Sequence, residues 1–193
     1  MIDIALIEEH ILAFKSELSI SSVSDIVQRK IIFGECAALS NHDYHSLRSK
    51  VGNKFNVHPN DVLVVGSAKL GFSIAPKKQY RTFGETSDID VVIVNSVLFD
   101  TFWRSVYHMW KEKVLWNTET DFKKYLFQGW IRPDKLPISN KYPITDDWWE
   151  FFRQLTSTNE FGPYKINGAI YKDWYFLEGY QNFAVQNCKD QLS

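Results

Sequence analysis

The fold turns on Asp61-Val62-Leu63-Val64-Val65-Gly66-Ser67 and, beyond an intervening loop, Ser87-Asp88-Ile89-Asp90-Val91-Val92-Ile93-Val94. Each stretch contains a short β-branched apolar run that fits a buried strand. The first run stops at Gly66-Ser67. In the second, side chains two apart share a face, so Asp88 and Asp90 project together while Ile89 and Val91 point the other way. Adjacent carboxylates at the start of an apolar strand repel one another and oppose burial. Such a pair calls for a positive partner.

A divalent cation resolves that conflict. Mg²⁺ takes one or two carboxylates and fills its octahedron with water and substrate phosphate. The residues between the two runs suit a phosphate as well. Gly66 lets backbone approach an anion closely, and Ser67 with its neighbouring amides can donate hydrogen bonds. The segment Ala68-Lys69-Leu70-Gly71-Phe72 follows, then a basic loop with Lys77, Lys78 and Arg81 and no acid between Ala68 and Gly84. These cations can neutralise a triphosphate or a nucleic-acid backbone, although loops are commonly charged without any such role.

At Val64-Val65-Gly66-Ser67, Gly71 and Ser87-Asp88-Ile89-Asp90-Val91-Val92-Ile93 the sequence resembles the nucleotidyltransferase superfamily of the polymerase β type. The resemblance implies an α/β (α+β) fold, a small mixed sheet flanked by N- and C-terminal helices. It implies Asp88 and Asp90 as catalytic metal ligands for Mg²⁺ or Mn²⁺, with Gly66, Ser67, Lys69 and Ser87 on the nucleotide. The reaction it implies moves a nucleoside monophosphate from a (deoxy)nucleoside triphosphate to an acceptor hydroxyl on a short oligonucleotide or a protein. Small bacterial members of this kind occur in phage-defence or toxin–antitoxin loci, which implies an effector or toxin protein as partner. Untemplated oligonucleotide synthesis is the preferred reading; adenylylation of a partner protein and a non-catalytic nucleotide-binding module are the alternatives.

Two departures from the superfamily pattern stand out. The interval from Gly-Ser to Asp-x-Asp is lengthened by the basic loop. Active members also place a third carboxylate on a neighbouring strand, whose counterpart here, Tyr164 to Tyr171, contains no acid. Asn167 sits where that carboxylate is expected, and Asp173 lies further along on the same face. Three alternatives stay open: a ligand from elsewhere, Asn167 as a neutral oxygen donor, or weakened activity.

The rest of the chain reads as one domain, 1–193, with a helical part over 1–58 and the core over 59–193. Ile4, Ile7, Ile11, Phe14 and Leu18 form one helical stripe, interrupted at Ser19-Ile20-Ser21-Ser22, with Ser22 or Ser24 capping a second helix. Leu47, Val51 and Phe55 mark a third helix, and His42-Asp43-Tyr44-His45 reads as a surface turn rather than a metal site. Asn95 or Ser96 caps a helix bearing Leu98, Phe102, Val106 and Met109, and another helix spans about Trp174 to Lys189. Residues 115–163 read as an irregular, aromatic-rich insert broken by Pro133, Pro137 and Pro143, with Gly129-Trp130-Ile131-Arg132-Pro133 its most suggestive segment.

Composition narrows the classes. With 22 Lys plus Arg against 23 Asp plus Glu, the net charge is −1, so the chain does not hold nucleic acid by bulk positive charge. No apolar run reaches the roughly 18 to 20 residues of a membrane span, so no membrane insertion is expected. Glu8 and Glu9 oppose a signal peptide, and Cys36 and Cys188 lack paired spacing; together these point to a cytoplasmic protein. All seven tryptophans lie after residue 100, most of them read as packing residues.

Overall fold

The computed structural model describes residues 4–137 and 141–192. Both apolar runs are strands, β1 (Val62–Val65) and β2 (Asp88–Val94), joined in one sheet by β3 (Trp130–Ile131) and β4 (Lys165–Tyr171). The order is β1-β2-β4-β3; β1 is antiparallel to β2, β2 parallel to β4, and β4 antiparallel to β3. A parallel pair needs a long crossover, and the helices between β2 and β4 supply it.

The α-helices of the described residues are α1 (Ile4–Ile20), α2 (Val23–Ile26), α3 (Asn41–Phe55), α4 (Gly66–Leu70), α5 (Ser96–Lys111), α6 (Glu119–Phe127), α7 (Pro143–Ser157) and α8 (Trp174–Asp190), with α2 running on into a π-helical turn over Val27–Ile32. Their starts follow local chemistry. Ser22 accepts from the Asp25 amide, Ser40 from Asp43, Asn95 from Leu98 and Asp173 from Phe176. None of these helices is long and apolar enough to cross a membrane.

The sheet is covered on both sides. Val62, Val64, Ile89, Val91, Ile93 and Ile170 face a core with Leu47 and Val51 of α3, Phe99 and Phe102 of α5, and Trp148 and Phe152 of α7. Leu63, Val65, Val92, Val94, Ala169 and Tyr171 face the other way, onto Phe14 and Leu18 of α1, Ile26 of α2, and Leu177 and Val185 of α8. Helices from both ends of the chain therefore seal one face together. The side chain of Ile4, first in the predicted stripe, lies outside the described residues.

Three expectations change. The 115–163 segment holds α6, β3 and α7. Its prolines are punctuation: Pro143 occupies the first turn of α7, where no donor is lost. Thr145, Trp148, Phe152 and Leu155 then form the buried stripe. His42-Asp43-Tyr44-His45 is the first turn of α3, because Ser40 caps the helix just before it. The packing role of the tryptophans holds in part: Trp148 is buried, Trp116 and Trp130 pack half-buried against the two cores, and Trp103, Trp110 and Trp174 are exposed.

Candidate functional site

Asp88 and Asp90 are exposed on β2 while Ile89 and Val91 between and after them are buried. The strand register builds a site around the pair. Val65 pairs with Asp90, so Gly66 turns away at the level of the carboxylates. Gly66 has φ +68°, and a Cβ placed on it would sit 3.5 Å from Asp90 Oδ2. The left-handed backbone conformation is the reason for glycine here, since a Cβ at that distance would make only an ordinary contact with the carboxylate. On the other side, Lys165 pairs with Asp88 and Asn167 with Asp90. Asn167 Nδ2 donates to Asp88 Oδ2 at 3.1 Å. Gly66, Ser67, Ser87, Asp88 and Asp90 all line one cavity of about 1240 Å³.

The electrostatics are those of an acid pair short of positive charge. Crowding by the cavity walls pushes the Asp90 carboxyl above its ordinary pKa, and the Asp88 charge pushes it further. Hydrogen bonding by Asn167 and the charges of Arg132 and Lys165 pull it back. Lys77, Lys78, Arg81 and Lys165 also line the cavity and form no ion pair among the described residues. Arg132 differs: its Nε and Nη2 each donate to Asp134 at 2.9 Å. Burial works against the Arg132 charge, but Asp134 and Tyr125 outweigh it and raise its pKa.

The donor set fits a hard cation sparsely held. Among the described residues no group of three or more His, Cys, Asp or Glu is arranged to hold a metal. What remains is Asp88, Asp90 and the amide of Asn167, whose oxygen faces the pair if the amide turns over. Two carboxylates with coordination left for water and phosphate suit Mg²⁺ or Mn²⁺, and the set lacks the nitrogen and sulfur ligands of a structural zinc site.

Some expected residues do other work. Lys69 does not line the cavity. It points to the opposite side of α4, is 2% exposed, donates to the Gly34 carbonyl and lies over the Tyr44 ring. Its place is a clamp on the 33–40 loop, and burial lowers its pKa. Ser87 reaches the cavity, but its Oγ accepts from the Gly84 amide and closes the turn before β2. Asp173 is committed to capping α8, which leaves Asn167 as the β4 residue beside the acid pair.

Lys165 also lines the cavity, a residue the sequence pattern does not single out. Lys165 is two before Asn167, so strand alternation alone puts it on the same face. The Gly129–Pro133 segment does deliver Trp130 and Arg132 to the cavity. Trp130 lies flat on Tyr171 (5.4 Å, 9°), and Tyr180 meets it edge-on at 4.9 Å. That wall needs β3 to pair with β4, and a two-residue strand leaves no periodic trace. Compared with family models, curated proteins and solved structures, the chain matches none, so the site rests on its own residues.

Proposed function

We propose that this protein is a metal-dependent nucleotidyltransferase, moving a nucleoside monophosphate from a (deoxy)nucleoside triphosphate to an acceptor hydroxyl. The observation that carries the reading is the meeting of Asp88 and Asp90 with the Gly66-Ser67 turn in a cavity also lined by Lys77, Lys78, Arg81 and Lys165, none of which forms an ion pair among the described residues. The placement of β4, parallel to β2 and beside the acid pair, agrees with the arrangement the sequence resemblance implies.

In this reaction the acceptor oxygen forms a bond to the α-phosphorus and loses its proton to solvent water, and the bond from that phosphorus to the bridging oxygen breaks. Pyrophosphate leaves with the electron pair. Asp88 and Asp90 would hold Mg²⁺ or Mn²⁺, which supplies charge neutralisation on the phosphoryl oxygens and a lower pKa for the attacking hydroxyl. The Gly66-Ser67 amides and the Ser67 hydroxyl donate to phosphate oxygens. Lys77, Lys78, Arg81 and Lys165 balance the triphosphate charge. A cavity of about 1240 Å³ is roomy for one nucleotide and leaves space for a short acceptor. An oligonucleotide end is the preferred acceptor, with a protein hydroxyl the alternative.

One observation favours a second reading, a module that binds nucleotide without turning it over: the position opposite Asp90 on β4 is Asn167 rather than a third carboxylate. A single experiment separates these readings. The purified protein is incubated with each labelled NTP and dNTP and Mg²⁺ or Mn²⁺, and products are resolved by size before and after protease. A ladder is the expected result. Label retained on protein and released by protease establishes the protein acceptor. Binding without product establishes the module, and neither binding nor product overturns the proposal.

A further inference from the structure

Helix α5 turns two parallel rows of side chains outward. Trp103, Tyr107 and Trp110, at spacings of four and three, form one row and are 46%, 51% and 52% exposed. Arg104, His108 and Lys111 repeat that spacing one residue on, and all three are exposed. None of the six lines the cavity that holds Asp88 and Asp90. The rings are set against one another and against the core. Tyr107 and Trp110 lie near-parallel, 6.1 Å apart and inclined by 29°, with Lys111 Nζ 5.6 Å from the Tyr107 ring centre. Trp103 meets the buried Phe99 edge-on at 6.1 Å. Single exposed apolar residues are ordinary, but three half-exposed rings in one row form a patch that a partner can cover.

The charges identify that partner. Both acids of this segment are engaged, Asp100 by Lys172 at 2.7 Å and Glu112 by Lys141 at 3.7 Å. Arg104, Lys111 and, just past the helix, Lys113 form no ion pair among the described residues, so the unneutralised charge is positive. On a period of 3.6 residues, Arg104 and Lys111 fall further from the buried Phe99, Phe102, Val106 and Met109 than the rings do. A partner therefore meets charge outermost and ring faces behind it. Insertion into a bilayer needs the rings outermost. A single-stranded nucleic acid matches the order found, with phosphates for the cations and unpaired bases to stack on the rings. From Trp103 to Trp110 the row spans about 10 Å of helix axis, the length of roughly three base steps. We infer that the outer face of α5 binds a single-stranded nucleic acid, at a site separate from the acid pair and independent of whether the cavity transfers nucleotides.

The test is fluorescence anisotropy of a short labelled oligodeoxythymidylate titrated with the full chain in EDTA, so that no metal-bound triphosphate site contributes. Long-chain polyphosphate, a DNA duplex and phosphatidylserine vesicles serve as competitors, and sedimentation reports self-association. The single strand is expected to bind at least about tenfold more tightly than polyphosphate, because stacking adds to charge. Tyr107→Ala with Trp110→Ala should weaken the strand at least about tenfold, and Tyr107→Phe should keep it. Arg104→Gln with Lys111→Gln should lower the slope of log affinity against log salt by about 1.4, at 0.7 for each phosphate contact. These side chains are exposed, so melting temperatures should not move; if the aromatic variant does melt lower, the salt slope of the cation variant decides. No binding of the strand, or binding that survives both double variants, would overturn the inference. So would polyphosphate or duplex bound as tightly as the strand, or vesicles bound in its place. A dimer that Tyr107→Ala with Trp110→Ala abolishes would give the face to a second copy of the chain and overturn it as well.

Discussion

One face of the sheet has two ends of opposite character. Along β2 the residues on that face run Asp88, Asp90, Val92, Val94; along β4 they run Lys165, Asn167, Ala169, Tyr171. The second half of each strand is buried under α1, α2 and α8, with Val92, Ala169 and Tyr171 also forming cavity wall, and the first half carries the acids and polar groups that open into the cavity. Fully burying a Val or Tyr-sized apolar side chain stabilises by roughly 1.5–3 kcal/mol. The sealed end therefore holds the helices from the two chain ends together. The open end holds two repelling carboxylates and cations that form no ion pair among the described residues, so apart from the field of Lys165 on Asp90 it contributes little to stability without a ligand. The comparison teaches that this face is divided lengthwise, one end for the fold and the other for chemistry.

The strongest attempt to break that division is made at the open end. Replacing both acids, Asp88→Asn with Asp90→Asn, should cost at least about a hundredfold in nucleotidyl transfer, the scale seen when charge-stabilising groups are removed. The same variant should melt no lower than wild type, because a like-charge pair is gone. Product formation and thermal melts check both halves. A large fall in melting temperature would show that the acids are structural and erase the contrast.

At the sealed end the expectation reverses. Leu18 of α1 is 0% exposed and away from the cavity, so Leu18→Ala should cost about 2–5 kcal/mol. That corresponds to a drop of roughly 4–20 °C in Tm for a chain of this size, with nucleotide affinity preserved. Denaturant or thermal unfolding measures it.

A matched pair of lysines sharpens the comparison further. Lys165 is exposed in the cavity, whereas Lys69 is buried against the Gly34 carbonyl. Lys165→Ala should weaken tripolyphosphate binding about fivefold, as for one exposed ion pair, without moving Tm. Lys69→Met should instead lose about 1–3 kcal/mol of stability by leaving the loop carbonyl unpaired. Parallel effects of the two variants would contradict the placement of Lys69.

The smallest effect is a pH dependence. Asp90 titrates above its unfolded value, so between the two pKa values the folded state binds more protons, and stability falls as pH rises through that window. Asp90→Asn should flatten this slope. Excess Mg²⁺ should also raise Tm more at neutral pH than near pH 4. Thermal melts across pH with and without Mg²⁺ decide it, and an unchanged slope in the variant would argue that Asp90 is not the group responsible.

What could be read from the sequence was what local rules write there. Val62–Val65 and Asp88–Val94 are legible because β-branching and alternation act within a few residues, and Ser22 and Asn95 announce helix starts by the same short-range logic. Gly66-Ser67 and Asp88-Ile89-Asp90 were visible as a chemical pattern before their register was known. The rest depends on contacts distant in the chain. β3 is two residues long and exists only because β4 pairs with it. Lys69 sits in a basic stretch, but α4 turns it toward Gly34 rather than toward the acids.

The central claim is that Asp88 and Asp90 hold a metal ion jointly with a triphosphate. Its most direct test is the electron paramagnetic resonance signal of free Mn²⁺, titrated with the protein in the presence and absence of a non-hydrolysable nucleotide analogue. The account predicts that the free Mn²⁺ signal falls with protein, falls further with the analogue, and stays unquenched by the Asp88→Asn, Asp90→Asn variant. Uptake by that double variant equal to wild type, or no uptake by wild type even with the analogue, would contradict it.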